Sequence, residues 1–227
     1  RVRALPMKKT DKALIDYLTR EEMNALLAAP DCTTVFGLRD RAMLHLTYAA
    51  GLRVSELLAL QIGDFSDRSL SMVRILGKGR RERVLPLWQE TRTALRAWMA
   101  VRPAVQRQEL FLNREGLPMS RDGFAHRLAV HVAAAVRKRP SLSEKRVTPH
   151  VLRHSCAMHT LEATGDIRKV SLWLGHASLQ STEAYLRVDP AEKLAILSAN
   201  GAPSVTKGKF RTPDKLLAML TEIQRSG

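Results

Sequence analysis

Residues 148–187 read TPHVLRHSCAMHTLEATGDIRKVSLWLGHASLQSTEAYLR, and this stretch decides both the helical character of the second half of the chain and where its chemistry lies. Pro149 opens a helix, because a proline in the first helical turn loses no hydrogen bond that the turn would otherwise make. His150 and Arg153 are three apart, so they share one face of that helix. Leu174 and Gly175 end a later helix, His176 follows them directly, and Tyr185 lies one short helix further on. An imidazole, a guanidinium and a phenol can therefore converge in the fold.

Upstream of this stretch the hydrophobic spacing is mostly helical. Thr19 with Glu22 forms a capping box ahead of Met23, Leu26 and Leu27, and Pro30 closes that helix. A second helix is expected over 38–50, with Met43, Leu44, Leu46 and Tyr48 inward and Gly51 ending it, and a third over 54–60. Residues 69–76 and 81–87 change character: Val, Ile and Leu recur at near period two, and Gly77-Lys78-Gly79-Arg80 between them supplies turn residues. Helix returns over 88–101, and over 121–138 with the stripe Phe124, Leu128, Val132 and Val136. The fold class that follows is mainly α with one small antiparallel β-hairpin.

Outside this body, residues 1–12 (RVRALPMKKTDK) are basic and aperiodic, as a linker arriving from an upstream domain would be. Residues 13–199 form the central domain. Residues 200–211 carry the Gly, Pro, Ser and Lys of an extended linker, and Thr212-Pro213-Asp214 starts a last helix whose stripe is Leu216, Leu217, Leu220 and Ile223. So narrow a stripe on so polar a tether needs a groove in which to bury itself, on its own domain or on a neighbouring copy, since a tether of this length allows either.

Charge narrows the partners. Lys and Arg number 37 against 22 Asp and Glu over 227 residues, a formal net charge of +15 that points to a polyanion, nucleic acid first. No run of the sequence approaches the roughly 18 apolar residues of a membrane span, so a membrane is not an expected partner. The two cysteines, Cys32 and Cys156, sit in apolar helical surroundings and exclude a disulfide framework and a four-cysteine zinc site. A reducing, cytoplasmic setting is expected.

Each candidate group also has a plainer reading. Arg53 and Glu56 stand in an apolar neighbourhood, GLRVSEL, where both are costly unless paired or functional. Lys78 at a hairpin tip reads equally as a solvated turn lysine. His150 and His154 have the i, i+4 spacing of a metal pair, yet Val151 and Leu152 stand where a zinc hydrolase carries its glutamate, and Arg153 sets positive charge beside the cation. No metal and no cofactor are therefore expected. His45, His126, His131, His154 and His159 read as packing or surface residues, and Tyr185 alone as a half-buried helical tyrosine. The order of arginine, lysine hairpin, His-x-x-Arg, Leu-Gly-His and tyrosine in one basic chain outweighs these separate readings.

In that order the sequence resembles the catalytic domain of the tyrosine recombinase, or phage integrase, family. GLRVSEL is similar to the family's first-arginine motif, GKGRRERVLPL to its lysine hairpin, TPHVLRH to its His-x-x-Arg box and WLGHASLQSTEAYLRV to its closing segment. The resemblance covers about residues 18–198. It implies Arg53, Lys78, His150, Arg153, His176 and Tyr185 as the active site, with Glu56 supporting them. It implies DNA strand breakage and rejoining through a 3′-phosphotyrosyl link, with neither metal nor ATP, because the link conserves the phosphoester energy. Arg80, Arg81 and Arg83, Arg137, Lys138 and Arg139, and Lys145 with Arg146 are candidates to line the duplex backbone. The implied partners are double-stranded DNA and three further copies of the chain, a tetramer on two duplexes joined through the terminal helix. A type IB topoisomerase shares the chemistry, and a non-catalytic DNA-binding protein shares the fold. The filled catalytic positions favour an enzyme, and the tethered helix, which implies a neighbouring subunit, favours recombination.

Overall fold

Thr19 starts the first helix as its spacing to Glu22 predicts: its hydroxyl accepts from the Glu22 N–H at 3.2 Å while the Glu22 carboxylate accepts from the Thr19 N–H at 2.8 Å. The computed structural model describes residues 17–65, 69–77 and 82–175. The expected linkers at 1–12 and 200–211 and the helix from Thr212 lie outside the described residues, as do Lys78, His176 and Tyr185.

Helix α1 (Arg20–Leu27) buries Met23, Leu26 and Leu27. Helix α2 (Val35–Ala49) begins three residues earlier than its apolar pattern indicates, because the Thr34 hydroxyl accepts from the Gly37 N–H at 3.0 Å and so places the cap at 34. Met43, Leu44, Leu46 and Tyr48 are all buried, as expected. Helix α3 is Val54–Ala59. Strands β1 (Met72–Leu76) and β2 (Glu82–Pro86) pair antiparallel, with Met72 opposite Pro86 and Leu76 opposite Glu82. They form a two-stranded sheet that turns Val73, Ile75 and Leu85 inward. Isolated bridges also join Gln61 to Glu109, Phe65 to Val73 and Leu112 to Pro118. Single pairs of this kind leave no period-two pattern to read in a sequence.

Four α-helices follow, α4 (Gln89–Val101), α5 (Arg121–Val136), α6 (Pro149–Thr164) and α7 (Ile167–Leu174), with a 3-10 turn at Pro140–Glu144 between α5 and α6. Helix α2 packs against α4 on one side and α6 on the other, so the core is built around it. Trp98 and Trp173 are among the largest fully buried side chains. Each satisfies its indole N–H on a backbone carbonyl, Leu110 at 2.9 Å and Ala49 at 3.1 Å, so neither leaves a buried donor unpaired. Among the described residues no helix is long and apolar enough to cross a membrane.

Inside this core α2 carries an ionic group that its sequence does not advertise. Asp40 is 1% exposed; its Oδ1 accepts from Arg39 Nε and Nη2 at 3.0 and 2.8 Å, and its Oδ2 from Arg127 Nε at 2.6 Å, with His131 Nε2 at 2.9 Å. Burial alone would raise this carboxyl, but His131, Arg39 and Arg127 together hold it below its ordinary value. Arg39 also donates to the Leu112 carbonyl at 2.9 Å, so the group ties α2 to α5 and to the loop before it. Asp40→Ala would leave the Arg39 guanidinium buried without its carboxylate, and a loss of about 3–5 kcal/mol in unfolding free energy is expected by urea titration. A loss below about 1 kcal/mol would mean that the network contributes no net stability.

Candidate active site

The site is built where the end of α2 meets α6 and α7. Gly51, just past the α2 cap, has φ +55°, and a Cβ there would run into the Leu174 side chain and stand 3.2 Å from Cys156 Sγ. Only glycine allows this corner to approach so closely while adopting the left-handed conformation. The approach brings the Gly51 carbonyl to Arg153, whose Nη1 donates to it, while Arg153 Nη2 donates to the Leu174 carbonyl at 2.9 Å. One guanidinium from the second turn of α6 thus joins the ends of α2 and α7.

Two residues after Gly51, Arg53 is the N-cap of α3, and Glu56 lies one turn into that helix. Glu56 is 5% exposed and its carboxylate is the centre of the site. Its Oε1 accepts from Arg53 Nη1 at 2.8 Å and Arg83 Nη1 at 3.2 Å. Its Oε2 accepts from the Arg53 backbone N–H at 3.0 Å and Arg83 Nη2 at 2.8 Å, with Arg153 Nη1 at 3.7 Å. Three guanidiniums therefore surround one carboxylate. The Arg53 side chain is 37% exposed, whereas those of Arg83 and Arg153 are 7% and 4% exposed, so the excess positive charge reaches solvent through Arg53.

The titration of these groups follows from the arrangement. Burial would raise the Glu56 carboxyl, but the hydrogen bonds and charge of Arg83, helped by Arg53, outweigh it and bring it from 4.5 to about 2. Arg153 is pushed down to about 10, first by burial and then by the neighbouring Arg53 charge. Cys156, wholly buried behind it, is pushed up to about 12 by burial, so it stays a neutral thiol. The Glu56 carboxylate and the Arg153 guanidinium are therefore both charged at neutral pH. A cluster with more cations than anions, fixed in a low-dielectric setting, is suited to hold an anion.

Helix α6 begins at Pro149 as expected and carries both residues, with His150 exposed in its first turn and Arg153 buried one turn deeper. The His150 and His154 rings meet edge to face at 4.4 Å between centroids. His154 is held below its ordinary pKa by burial, then by His150 and Arg153. Among the described residues no three His, Cys, Asp or Glu side chains are grouped so as to hold a metal ion. His131 bonds Asp40, His159 Nδ1 lies 2.8 Å from the Tyr48 hydroxyl, and His126 is exposed, all within the packing or surface roles expected of them. His45 is buried with no hydrogen-bond partner among the described residues, and burial lowers it to about 3.

Of the basic residues expected along a DNA backbone, Arg137, Lys138, Arg139 and Arg146 are exposed. Arg80 and Arg81 lie outside the described residues. Two others correct the sequence reading. Arg83 turns inward onto Glu56, because residue 83 falls on the face of β2 that also buries Leu85. Lys145 donates to Glu22 Oε2 at 2.6 Å and to the Tyr17 carbonyl at 3.0 Å, joining the start of α1 to the segment before α6. The alternation in RERVLPL already hints at an inward Arg83, but only the register, with Ile75 opposite, makes the position clear.

The profile of the Phage integrase family matches residues 16–192. A putative integrase/recombinase, y4rC, of Sinorhizobium fredii is 39% identical over 223 residues, covering 98% of this chain and 67% of the relative. The tyrosine recombinase XerD of Halalkalibacterium halodurans is 40% identical over 185 residues, 79% of this chain and 60% of its own length. The chain thus spans about three fifths to two thirds of these relatives. Among solved structures, XerA recombinase aligns over 87% of this chain and 68% of its own at TM-score 0.64 and 26% identity. The integrase of mycobacterium phage Brujita aligns over 92% and 64% at TM-score 0.65 and 25% identity. XerH site-specific recombinase, solved bound to its difH substrate, aligns over 79% and 52% at TM-score 0.62 and 25% identity.

Because the Glu56 carboxyl is depressed in the folded chain, its contribution to stability is fully present above its ordinary value of 4.5 and is lost as pH falls toward about 2. The difference in unfolding free energy between the unaltered chain and Glu56→Gln should therefore be level above about pH 5 and shrink steadily below it. Denaturant titrations from pH 3 to 7 measure this. A difference that stays level down to pH 3 would mean that the carboxylate's charge is not what the three arginines hold.

Proposed function

The chain belongs to the phage integrase family, and on that premise we propose that it is the catalytic part of a site-specific DNA recombinase acting through a 3′-phosphotyrosyl intermediate. The observation that carries this reading is the Arg53–Glu56–Arg83–Arg153 cluster, a pre-formed anion site with cations in excess on the segments that bear the family's motifs.

In the reaction, a scissile phosphate binds over Arg53, whose guanidinium faces solvent. Arg153 stands behind it, and a guanidinium has more N–H donors than the carbonyls of Gly51 and Leu174 consume. The two planar forks take the non-bridging oxygens, on which charge grows in the transition state, and His176 adds a further donor. The Tyr185 oxygen forms the bond to phosphorus as the bond from phosphorus to the 5′-oxygen breaks. His150 accepts the phenol proton, and Lys78 supplies a proton to the departing 5′-oxygen. The exposed imidazole of His150, one turn from Arg153, supports its part. The phosphotyrosyl link keeps the ester's energy, so attack by another strand's 5′-hydroxyl reverses the step without ATP or metal.

Double-stranded DNA is the substrate, consistent with a net charge of +15, and the protein acts in the cytoplasm on the nucleoid. The segment from Thr212 docks on a neighbouring copy and links four subunits on two duplexes. Its polar tether and narrow apolar stripe support this, being too small for a core of their own.

A nicked duplex that loses its 5′-hydroxyl strand on cleavage should trap the chain covalently in the presence of EDTA, and the trapped strand should pass to a foreign acceptor. Tyr185→Phe should abolish the adduct while leaving DNA affinity within about twofold, since only a hydroxyl is lost. An adduct that persists in this variant would move the nucleophile elsewhere, and loss of the adduct on chelation would sink the metal-free mechanism. Removing residues 200–227 should leave the chain unable to form tetramers on DNA, as read by sedimentation of the complex. Normal assembly and strand exchange in the shortened chain would remove the coupling role from the terminal segment.

A further inference from the structure

We propose that Arg83 is a positioning residue for this reaction, one that orients the Glu56 carboxylate and through it the guanidiniums of Arg53 and Arg153 without touching DNA. The inference rests on the function proposed above and adds a residue that its chemistry does not use directly.

Arg83 is 8% exposed and reaches Glu56 with both terminal nitrogens, one to each oxygen, at 3.2 and 2.8 Å. A fork-to-fork pair of this kind sets the plane of the carboxylate as well as its position. Arg53 holds the same two oxygens from the start of α3, through its side chain on Oε1 and its backbone N–H on Oε2. The place of the Arg53 guanidinium therefore depends on how Arg83 sets the carboxylate. With Arg83 absent, Arg53 and Arg153 would be the guanidiniums left, among the described residues, to neutralise a buried anion, and each would be drawn toward it and away from a bound phosphate.

The same side chain braces the end of α7. Gly175 has φ +63°, and a Cβ built on it would stand 3.0 Å from Arg83 Cδ and 3.2 Å from Nη1. The Arg83 stem thus lies against the residue that directly precedes His176 in the sequence. One arginine on β2 fixes the start of α3 and the end of α7 together. An arginine on the inward face of a strand carries a desolvation cost, which the Glu56 pair offsets.

The test uses the full chain and nicked duplexes selected from a randomised pool by covalent capture on that chain. Arg83→Met should slow single-turnover adduct formation roughly 10- to 100-fold, the effect of a small misplacement of the groups around the phosphate. DNA affinity should stay within about twofold, and the slope of log K against log[salt] should not change, because no phosphate contact is lost. Glu56 is faced by Arg53, Arg83 and Arg153, with Cys156 neutral behind them. Without Arg83, burial should raise the Glu56 carboxyl, so as pH drops from about 7 to 5 the variant's rate should fall more steeply than that of the unaltered chain, in which only the His150 base is lost. Arg83→Lys, which keeps the charge and loses the fork, should fall between the two. It carries the test if Arg83→Met does not fold. Arg83→Met with Glu56→Gln removes both members of the pair and should cleave faster than Arg83→Met alone.

Unchanged cleavage rates in Arg83→Met and Arg83→Lys would overturn the proposal, as would strictly additive effects in the double variant. Weakened binding with the salt slope reduced by about one would overturn it in favour of a phosphate contact. Failure of the unaltered chain to capture any duplex would instead defeat the recombinase reading, and this inference with it.

Discussion

The buried Glu56 carboxylate is the constraint on which the site depends. It must be paired with cations, because a carboxylate removed from water is tolerable only when its lone pairs are occupied by charged donors. Arg53 and Arg83 occupy them from the start of α3 and from β2, and Arg153 of α6 adds its charge at 3.7 Å. Meeting that need assembles the phosphate site: satisfying one anion brings together three guanidiniums, and the cationic excess is left for a ligand. The close approach at Gly51 is the steric half of the same arrangement, since a side chain there would hold α6 and α7 away from the end of α2.

A second ionic centre, at Asp40, does structural work on the other flank of α2. It holds Arg39, Arg127 and His131 in a core otherwise made of Leu, Met and Trp side chains. The two centres differ in their excess of cations. Two guanidiniums and His131 face Asp40, and Arg39 is also engaged by the Leu112 carbonyl, whereas three guanidiniums surround Glu56. Each centre has one partly exposed arginine, Arg127 and Arg53. The larger cationic excess at Glu56 suits that centre to accept an anion.

The geometry orders the chemistry by depth. Arg153 lies deepest, with its terminal nitrogens on the Gly51 and Leu174 carbonyls, Arg53 lies at the surface, and His150 stands exposed one turn along α6. Donors fixed in place before substrate arrives cost no reorganisation during reaction, which is why anchoring them matters as much as their charge. Arg83 fits this order as an anchor: it is as buried as Arg153 and is spent on the carboxylate.

Much of this was legible in the chain. The capping box at Thr19, the inward set Met43, Leu44, Leu46 and Tyr48, the hairpin strands and the proline-started α6 follow from local rules, because caps, periodicity and turns are decided by neighbours in sequence. The i, i+3 relation of His150 to Arg153 and the Arg53 to Glu56 pair are equally local. The early start of α2, the inward turn of Arg83, the tie of Lys145 to Glu22 and the Asp40 network were not read from the sequence. For the last three, the partners are separated by 27, 123 and 87 positions, and only packing decides which of many charged residues lies within reach. Residue types and local spacing determined which groups this protein would use; the pairing of buried charges, a long-range consequence of removing them from water, was decided by the tertiary structure alone.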